Sequence, residues 1–417
     1  MLMNQSFKIV VISSVWPEPA SSAAGGRMLG LLRLFKERFS EVFFLSPAAD
    51  SEFSVDLNAM GITKQKIELN HSSFDVLIAS IQPQIVLFDR FMVEEQFGWR
   101  VAEQCPRALR VLDTVDLHFL RHARHSAVKA ETNLSDEDLK SDLAKREIAS
   151  ILRSDLSLII SEFEMNLLIQ NFKIDPMLLE YFPLLVPPID EATIHNWPTF
   201  AERKDFVFIG NFLHEPNWDA VLYLKKTIWP LIYEKLPQAN LFVYGAYPTH
   251  KNLQLHHSQS GFHVIGRASN AMRIVSNARI CLAPLRFGAG VKGKLLEAMI
   301  CGTPSITTKM GAEGLQGKLP WNGMIAETVA EIASAAVALY QNSEAWYAAQ
   351  KHGIEIINTR NSGDPIETQL IKRIESVLEN LALHRSQNFI GALLQHHTLK
   401  STKYMSKWIE EKNKKSA

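Results

Sequence analysis

The chain reads as an α/β protein of two doubly wound domains that face each other across a cleft. Three observations predict this. Short apolar runs alternate with longer amphipathic stretches along most of the chain, as strands and covering helices of a parallel sheet do. That rhythm breaks once, near the middle, in a proline-rich stretch, and then restarts. The length, 417 residues, also exceeds the size at which a single hydrophobic core keeps growing.

The first half opens with the strand "FKIVVIS" (7–13), the helical "GRMLGLLRLFKERF" (26–39) and the strand "EVFFLS" (41–46). "FDVLIASIQ" (74–82) leads into "PQIVLFD" (83–89), then "EEQFGWRVAEQC" (94–105) and "LRVLDTVD" (109–116). "RSDLSLIIS" (153–161) precedes "EFEMNLLIQNF" (162–172). The break is "YFPLLVPPIDEATIHNWPTFAERKD" (181–205), which is proline-rich and without periodicity, as an interdomain linker is. The second half restarts with "DFVFIGNF" (205–212), a long helix from Pro216 and Asn217, and the strands "ANLFVYGAY", "FHVIG", "RICLAPL" and "PSITT". The expected division is a first domain over 1–190, a linker over 191–204, a second domain over 205–370, and C-terminal helices with a basic tail over 371–417, packing back on the first domain. Doubly wound sheets bind ligands beyond the carboxyl ends of their strands, so two of them facing each other predict a ligand cleft.

Composition excludes several classes. Basic and acidic side chains number 44 each, so no overall positive field exists to hold a nucleic acid. Three scattered cysteines, Cys105, Cys281 and Cys301, make neither a disulfide framework nor a zinc cluster, and they suit a reducing cytosol. The first apolar run, "IVVIS", is too short for a signal peptide or a membrane span. A cytoplasmic protein is expected.

The densest chemistry lies in "FGAGVKGKLLEAMICG" (287–302). After the strand "RICLAPL", Gly288, Gly290 and Gly293 form a turn where bare backbone can approach a ligand. The helix that follows stops at Gly302, just before Pro304. A glycine turn opening a helix offers free N–H groups and the positive end of a dipole, which suits a phosphate. Lys292 and Lys294 add charge there, and Glu297 stands further along, where a carboxylate can take both hydroxyls of a ribose. Together these describe a nucleoside diphosphate. Read alone, the same residues also fit an ordinary turn and the solvated face of a helix. The pattern is neither a Walker A loop nor a dinucleotide fingerprint in its usual setting.

The longer segment "PLRFGAGVKGKLLEAMICGTPSITTKMGAEGL" (284–315) resembles the donor-site signature of retaining GT-B glycosyltransferases, the group 1 or GT4-like family. Residues 205–248 resemble the first β-α-β unit of that family's C-terminal domain, and "PEPASSAAGGRMLGLL", "VLDTVDLHFLRHAR" and "SLIISEFEMNLL" resemble segments of its N-terminal domain. The resemblance implies two Rossmann-like domains and transfer of a sugar, with retention, from a nucleotide-diphosphate sugar to an acceptor hydroxyl. The expected nucleotide is UDP or GDP, no cofactor is permanently bound, and the acceptor is a glycan, a lipid-linked glycan or a protein.

The same resemblance assigns roles. Glu297 binds the donor ribose, and Gly25 and Gly26 form a glycine turn that closes on the phosphates, with Arg27 beside it. Lys292 neutralises the leaving diphosphate, His118 faces the sugar, and Asp116 and Arg121 border the same strand end on the acceptor side. Gly288, Gly290, Val291 and Lys294 complete the donor loop. Two departures stand out. Ala289 occupies the place of the family's first glutamate, so contacts to the sugar fall to the backbone of 288–291. Asn211 occupies the place of an arginine after the first strand of the second domain, leaving Lys292 as the main cation, and His214 and Asn217 are within expected reach. Asn217 is more simply a helix cap.

No metal is expected. No D-x-D-like metal site lies in a plausible loop, since "DTVD" has the wrong spacing and sits at a strand end, and His118, His122 and His125 share a helical face without a second set of ligands. Two other functions fit the architecture, a UDP-sugar 2-epimerase and a non-catalytic scaffold with a degenerate site. The tail "NFIGALLQHHTLKSTKYMSKWIEEKNKKSA" (388–417) combines an apolar patch with Lys400, Lys403, Lys407, Lys412, Lys414 and Lys415, a pattern that suits weak contact with the inner membrane face or a helix packed back on the domains.

Overall fold

The computed structural model describes residues 7–414, apart from the side chains of 397–400, so Lys415 and the Lys400 side chain lie outside the described residues. The first sheet contains β1 (Lys8–Ile12), β2 (Glu41–Ser46), β3 (Thr63–Lys66), β4 (Ile85–Asp89), β5 (Leu109–Asp113), β6 (Leu156–Ile159) and β7 (Leu179–Tyr181). Its order is β3-β2-β1-β4-β5-β6-β7, with every pair parallel. The second contains β8 (Lys204–Ile209), β9 (Leu241–Tyr244), β10 (Phe262–Gly266), β11 (Ala278–Ala283), β12 (Ser305–Thr307) and β13 (Gly323–Ile325), ordered β10-β9-β8-β11-β12-β13 and again all parallel.

Both sheets reverse their winding beside their first strand, between β1 and β4 and between β8 and β11. Crevices open at such reversals, because the chain leaves the two adjacent strands toward opposite faces. The loops that leave β1, β5, β8 and β11 all reach the same cleft.

The central strands carry apolar side chains on both faces because helices cover both. Every residue of β4, β5 and β6 is buried. "FDVLIASIQ" forms most of the helix Ser73–Ile81; Phe74, Ile78 and Ile81 give it one buried face. β3, with the sequence "TKQK", is largely exposed at the sheet edge.

The domains meet through apolar contacts as well as polar ones. Ile160, Leu184 and Ile189 share a buried cluster with Leu295, Leu296 and Ile356 of the second domain. The outgoing and returning chains pair at the crossing: Val186 N donates to Asn361 O at 2.9 Å, and Asn358 Nδ2 donates to Ile189 O at 2.9 Å. The return comes earlier than the expected boundary at 370. The helix Asp364–Glu379 already belongs to the first domain, where Leu370, Ile371 and Ile374 join its core. The last helix, Phe389–Lys414, lies against the first domain, with Lys403 bonded to Glu103 at 2.6 Å and Gln395 to the carbonyl of Arg153 at 2.9 Å. No helix among the described residues is long and apolar enough to cross a membrane.

Candidate functional site

The cleft encloses a cavity of about 720 Å³ lined from both domains. That volume suits a small molecule of drug or nucleotide size. Residues 19–24, Arg90, Asp116, His118 and Arg121 line it from the first domain; Gly210, Asn211, His214, Arg267, residues 287–289 and 291–294 and Glu297 line it from the second, while the expected Gly290 does not.

The donor helix runs Gly293–Ile300, with Lys292 at its N-cap in extended conformation. No side chain caps it; Leu295 N donates to the carbonyl of Lys292 at 2.9 Å, and the amides of Gly293 and Lys294 form the open helix start. Gly302, at φ 62°, takes the left-handed conformation that ends such a helix. Lys292 is buried and donates from Nζ to the carbonyl of Gly290 at 2.9 Å, with Glu313 at 4.0 Å. Burial brings its pKa down to about 8, opposed in part by Glu313. Lys294 donates to Asn217 Oδ1 and lies 4.7 Å from the centre of the Phe208 ring, and burial holds it near 8 as well. Burial raises the carboxyl of Glu297, with Lys294 pulling the other way. Two lysines on one wall of the cleft, Lys292 near Glu313 and Lys294 near Glu297, favour an incoming anion.

Opposite them, burial would raise Asp116, but Arg121 and His118 outweigh it and leave the carboxyl below its usual range. Asp116 pairs with Arg121 and sits 3.4 Å from His118 Nε2. His118 is the first residue of the helix His118–Ala130, with its ring edge-on to Phe91 at 5.5 Å. Burial brings His118 to about 4 despite Asp116, so its imidazole is neutral at pH 7. His214 is solvent-accessible at the mouth, yet the cleft walls and then Arg121 hold it near 4. Two residues beside the site take left-handed angles that side chains rarely adopt, Arg90 at φ 73° and Val115 at φ 63°. For a β-branched valine this is a strained turn, and strain of this kind concentrates at functional sites.

Several expected residues have other work. Gly25 and Gly26 lie within the first turn of the helix Ala23–Arg38 rather than in a phosphate-facing turn. A Cβ on Gly25 would sit 2.4 Å from the carbonyl of Glu18, so that glycine serves backbone packing; residues 19–24 line the cavity instead. Arg27 is fully engaged: Nε and Nη2 reach Asp113 at 2.8–3.0 Å, and Nη1 reaches the carbonyls of Phe182 and Pro183. Asn211 shapes its own turn by accepting from Leu213 N at 2.8 Å. Asn217 is no helix cap; His214 holds that position, while Asn217 ties Lys294 to the carbonyl of Asn211. His125 stacks on Phe287 at 4.4 Å and pairs with Glu215, and no group of three or more His, Cys, Asp or Glu among the described residues is arranged to hold a metal ion.

Sequence reading missed a second layer. Arg124 donates to the carbonyl of Gly288 at 2.8 Å and pairs with Glu313 at 2.7 and 2.8 Å, which locks the donor loop onto the first domain. Glu147 accepts from the amides of His118 and Phe119 and so caps the His118 helix. Burial raises Glu147 to about 8. Arg267 bonds Ser21 at 2.8 Å and stacks 3.4 Å from the centre of the Phe53 ring, closing the other side of the cleft. These partners lie dozens to hundreds of residues apart, and no local spacing encodes them.

Two parallel, doubly wound domains with facing strand ends and a shared cleft constitute the GT-B fold. Solved structures share it over nearly the whole chain. A sucrose-phosphate synthase from Thermosynechococcus elongatus has a TM-score of 0.67 at 15% identity, covering 89% of this chain and 99% of that one. HepE from Anabaena, solved in complex with UDP, has a TM-score of 0.65 at 12% identity, covering 89% and 100%. WaaG, a glycosyltransferase involved in lipopolysaccharide biosynthesis, has 0.59 at 12%, covering 84% and 96%. Identities this low establish the fold alone. By sequence, no curated protein matches the chain. Residues 203–342 match the family model Glycosyl transferases group 1, which bears out the resemblance carried by 205–248 and by 284–315.

Proposed function

We propose that this protein is a glycosyltransferase that moves a sugar from a nucleotide-diphosphate sugar to an acceptor hydroxyl with retention of configuration, in glycan or glycoconjugate biosynthesis. The observation that carries the reading is the cleft wall formed by the uncapped helix start at Gly293, the buried Lys292, the half-buried Lys294 and Glu297, all lining a cavity of about 720 Å³. HepE, of the same fold, is solved with UDP and with UDP-glucose, so UDP is the first nucleotide to test, with GDP second. In this reading the diphosphate sits at the helix start and Lys292, and Glu297 takes the ribose hydroxyls. As the bond to the sugar breaks, negative charge grows on the β-phosphate. Preorganised amides and Lys292 stabilise it there. The departing phosphate takes the acceptor's proton on the same face, which requires no protein nucleophile and no metal. His118, neutral and held beside Asp116, faces the sugar as a hydrogen-bonding group.

Ala289, half-buried against the first domain, leaves contacts to the sugar to the backbone of 288–291. The protein works in the cytoplasm in this reading. The outward residues Tyr404, Met405 and Trp408 of the last helix, with the lysines around them, give it weak contact with the inner membrane face. Flotation with anionic liposomes, comparing the full chain with Trp408→Ala, tests that contact; equal flotation refutes it.

The test of the function is release of UDP from UDP-sugars with and without candidate acceptors, in excess EDTA, with the donor followed by NMR. Acceptor-dependent UDP release with a retained anomeric bond supports it. Isomerisation of the donor without acceptor would instead favour the epimerase reading, and loss of activity restored by Mg²⁺ or Mn²⁺ would contradict metal independence.

A further inference from the structure

Glu164 has a geometry that the proposed chemistry leaves unexplained. It lies in the helix Glu162–Gln170, three residues after the N-cap Ser161. Ser-x-x-Glu at a helix start normally forms a reciprocal capping box, with the glutamate returning a bond to the cap's amide. Here Ser161 accepts from the Glu164 amide at 3.2 Å, but the Glu164 carboxylate turns away. Its Oε1 accepts from Leu117 N at 3.0 Å and from Gly290 N at 2.8 Å. The side chain is fully buried, and Oε2 has no hydrogen-bond partner.

The two amides belong to different domains. Leu117 immediately precedes His118, at the start of the acceptor-side helix. Gly290 is the left-handed residue of the donor loop, at φ 60°, where a Cβ would meet that of Asp116 at 2.8 Å. Lys292 holds the carbonyl of the same Gly290, so the residue is gripped on both sides. A buried carboxylate with an unpaired oxygen is costly, and a merely structural position would be filled more cheaply by an apolar side chain.

We propose that Glu164 is a positioning residue, whose single oxygen fixes the donor loop against the start of the His118 helix and so assembles the two halves of the site in one geometry. The assignment of those halves to donor and acceptor rests on the function proposed above; the bracket itself does not. Burial and then the nearby Asp116 raise the Glu164 carboxyl to about 7, with Lys292 opposing, consistent with a carboxylate kept at a cost.

Hydrogen exchange of the full chain, read by mass spectrometry on peptides covering 113–120 and 286–295, tests the bracket without an activity assay. Glu164→Ala removes the acceptor of both amides, and exchange is expected to rise about 10- to 100-fold in both peptides together. Glu164→Gln keeps an oxygen in place and is expected to retain protection in both. Glu164→Asp keeps the charge but falls short by one methylene, and it is expected to lose protection in at least one. Unchanged exchange at Gly290 in the Ala and Asp variants would overturn the proposal. So would loss of protection throughout β4 to β6, which marks a simple core role. UDP titration of the same variants adds the split a structural role does not give: Gln close to the parent, Asp weakened. If the parent itself binds no nucleotide, the functional reading fails while the exchange result still decides the bracket.

Discussion

Gly293 offers a way to separate closing of the cleft from folding. It is the first residue of the donor helix, and its backbone angles suit any side chain. A Cβ there would lie 2.4 Å from the Cβ of Ala23, the first residue of the opposing helix, and 3.6 Å from both the Ala23 Cα and Leu184 Cδ2. Carbon atoms in contact stand about 3.5–4.0 Å apart, so Gly293→Ala requires the domains to part locally by about 1.1–1.6 Å. Within its own domain the substitution is favourable by up to ~1 kcal/mol, since alanine is the better helix former. Across the cleft it is an overpacking change, costing about 1–3 kcal/mol. Thermal unfolding of the second domain should therefore hold or rise slightly, while UDP affinity falls about 5- to 150-fold. The double variant Ala23→Gly/Gly293→Ala removes the opposing methyl, leaving an ordinary 3.6 Å contact, and should restore most of the affinity. Calorimetry on the three proteins, with small-angle scattering to follow closure, makes the comparison. Full affinity in the single variant, or no rescue in the double, would refute the closed geometry as the binding state.

Three further outcomes follow from the site. Lys292 and Lys294 both titrate near 8 in the free protein, and a bound diphosphate raises both, so binding should take up protons around pH 8 and weaken as pH climbs above it; calorimetry in buffers of different ionisation enthalpy reads this directly. Arg124→Met should leave Glu313 and the carbonyl of Gly288 without their buried partner, costing about 3–5 kcal/mol, whereas Arg124→Met/Glu313→Leu should recover much of it; urea unfolding distinguishes the two. Glu147 and Glu164 are held near 8 and 7 against an ordinary 4.5, so the folded state binds more protons than the unfolded one across that range. Their contribution is complete below about 4.5 and is lost as pH rises through 7 to 8. The urea midpoint should fall over that interval, and less steeply in Glu164→Gln.

Much of this fold was legible because its signal is local. Runs such as "VVI" and "VLFD" announce buried parallel strands, and the proline-rich midpoint announces the change of domain. β3 was not legible, because "TKQK" is an edge strand with little to bury. "FDVLIASIQ" was ambiguous because a short apolar run fits a strand or a helix, and only its covered face decides. The same division holds at the site. The donor turn, Lys292, Lys294 and Glu297 lie within eleven residues and share one wall. Arg27 does line the cavity, but a lone arginine near a predicted anion site looks free until Asp113, 86 residues away, is seen to hold it. Glu164, Arg124 and Glu313 were invisible for the same reason: their partners come from the other domain.

The central claim is that the cleft holds a nucleoside diphosphate with Glu297 on its ribose. Calorimetric titration with UDP, GDP, ADP and CDP, with dUDP beside UDP, tests it in the parent and in Glu297→Ala. Each hydrogen bond from a ribose hydroxyl to the carboxylate is worth about a 10- to 150-fold difference, so the nucleotide that binds the parent best should bind Glu297→Ala more weakly by at least that factor. If that nucleotide is UDP, dUDP should be weaker in the parent and the gap should vanish in the variant. Absence of binding by all four, or equal binding by parent and variant, would contradict the account and leave a GT-B scaffold whose cleft serves something else.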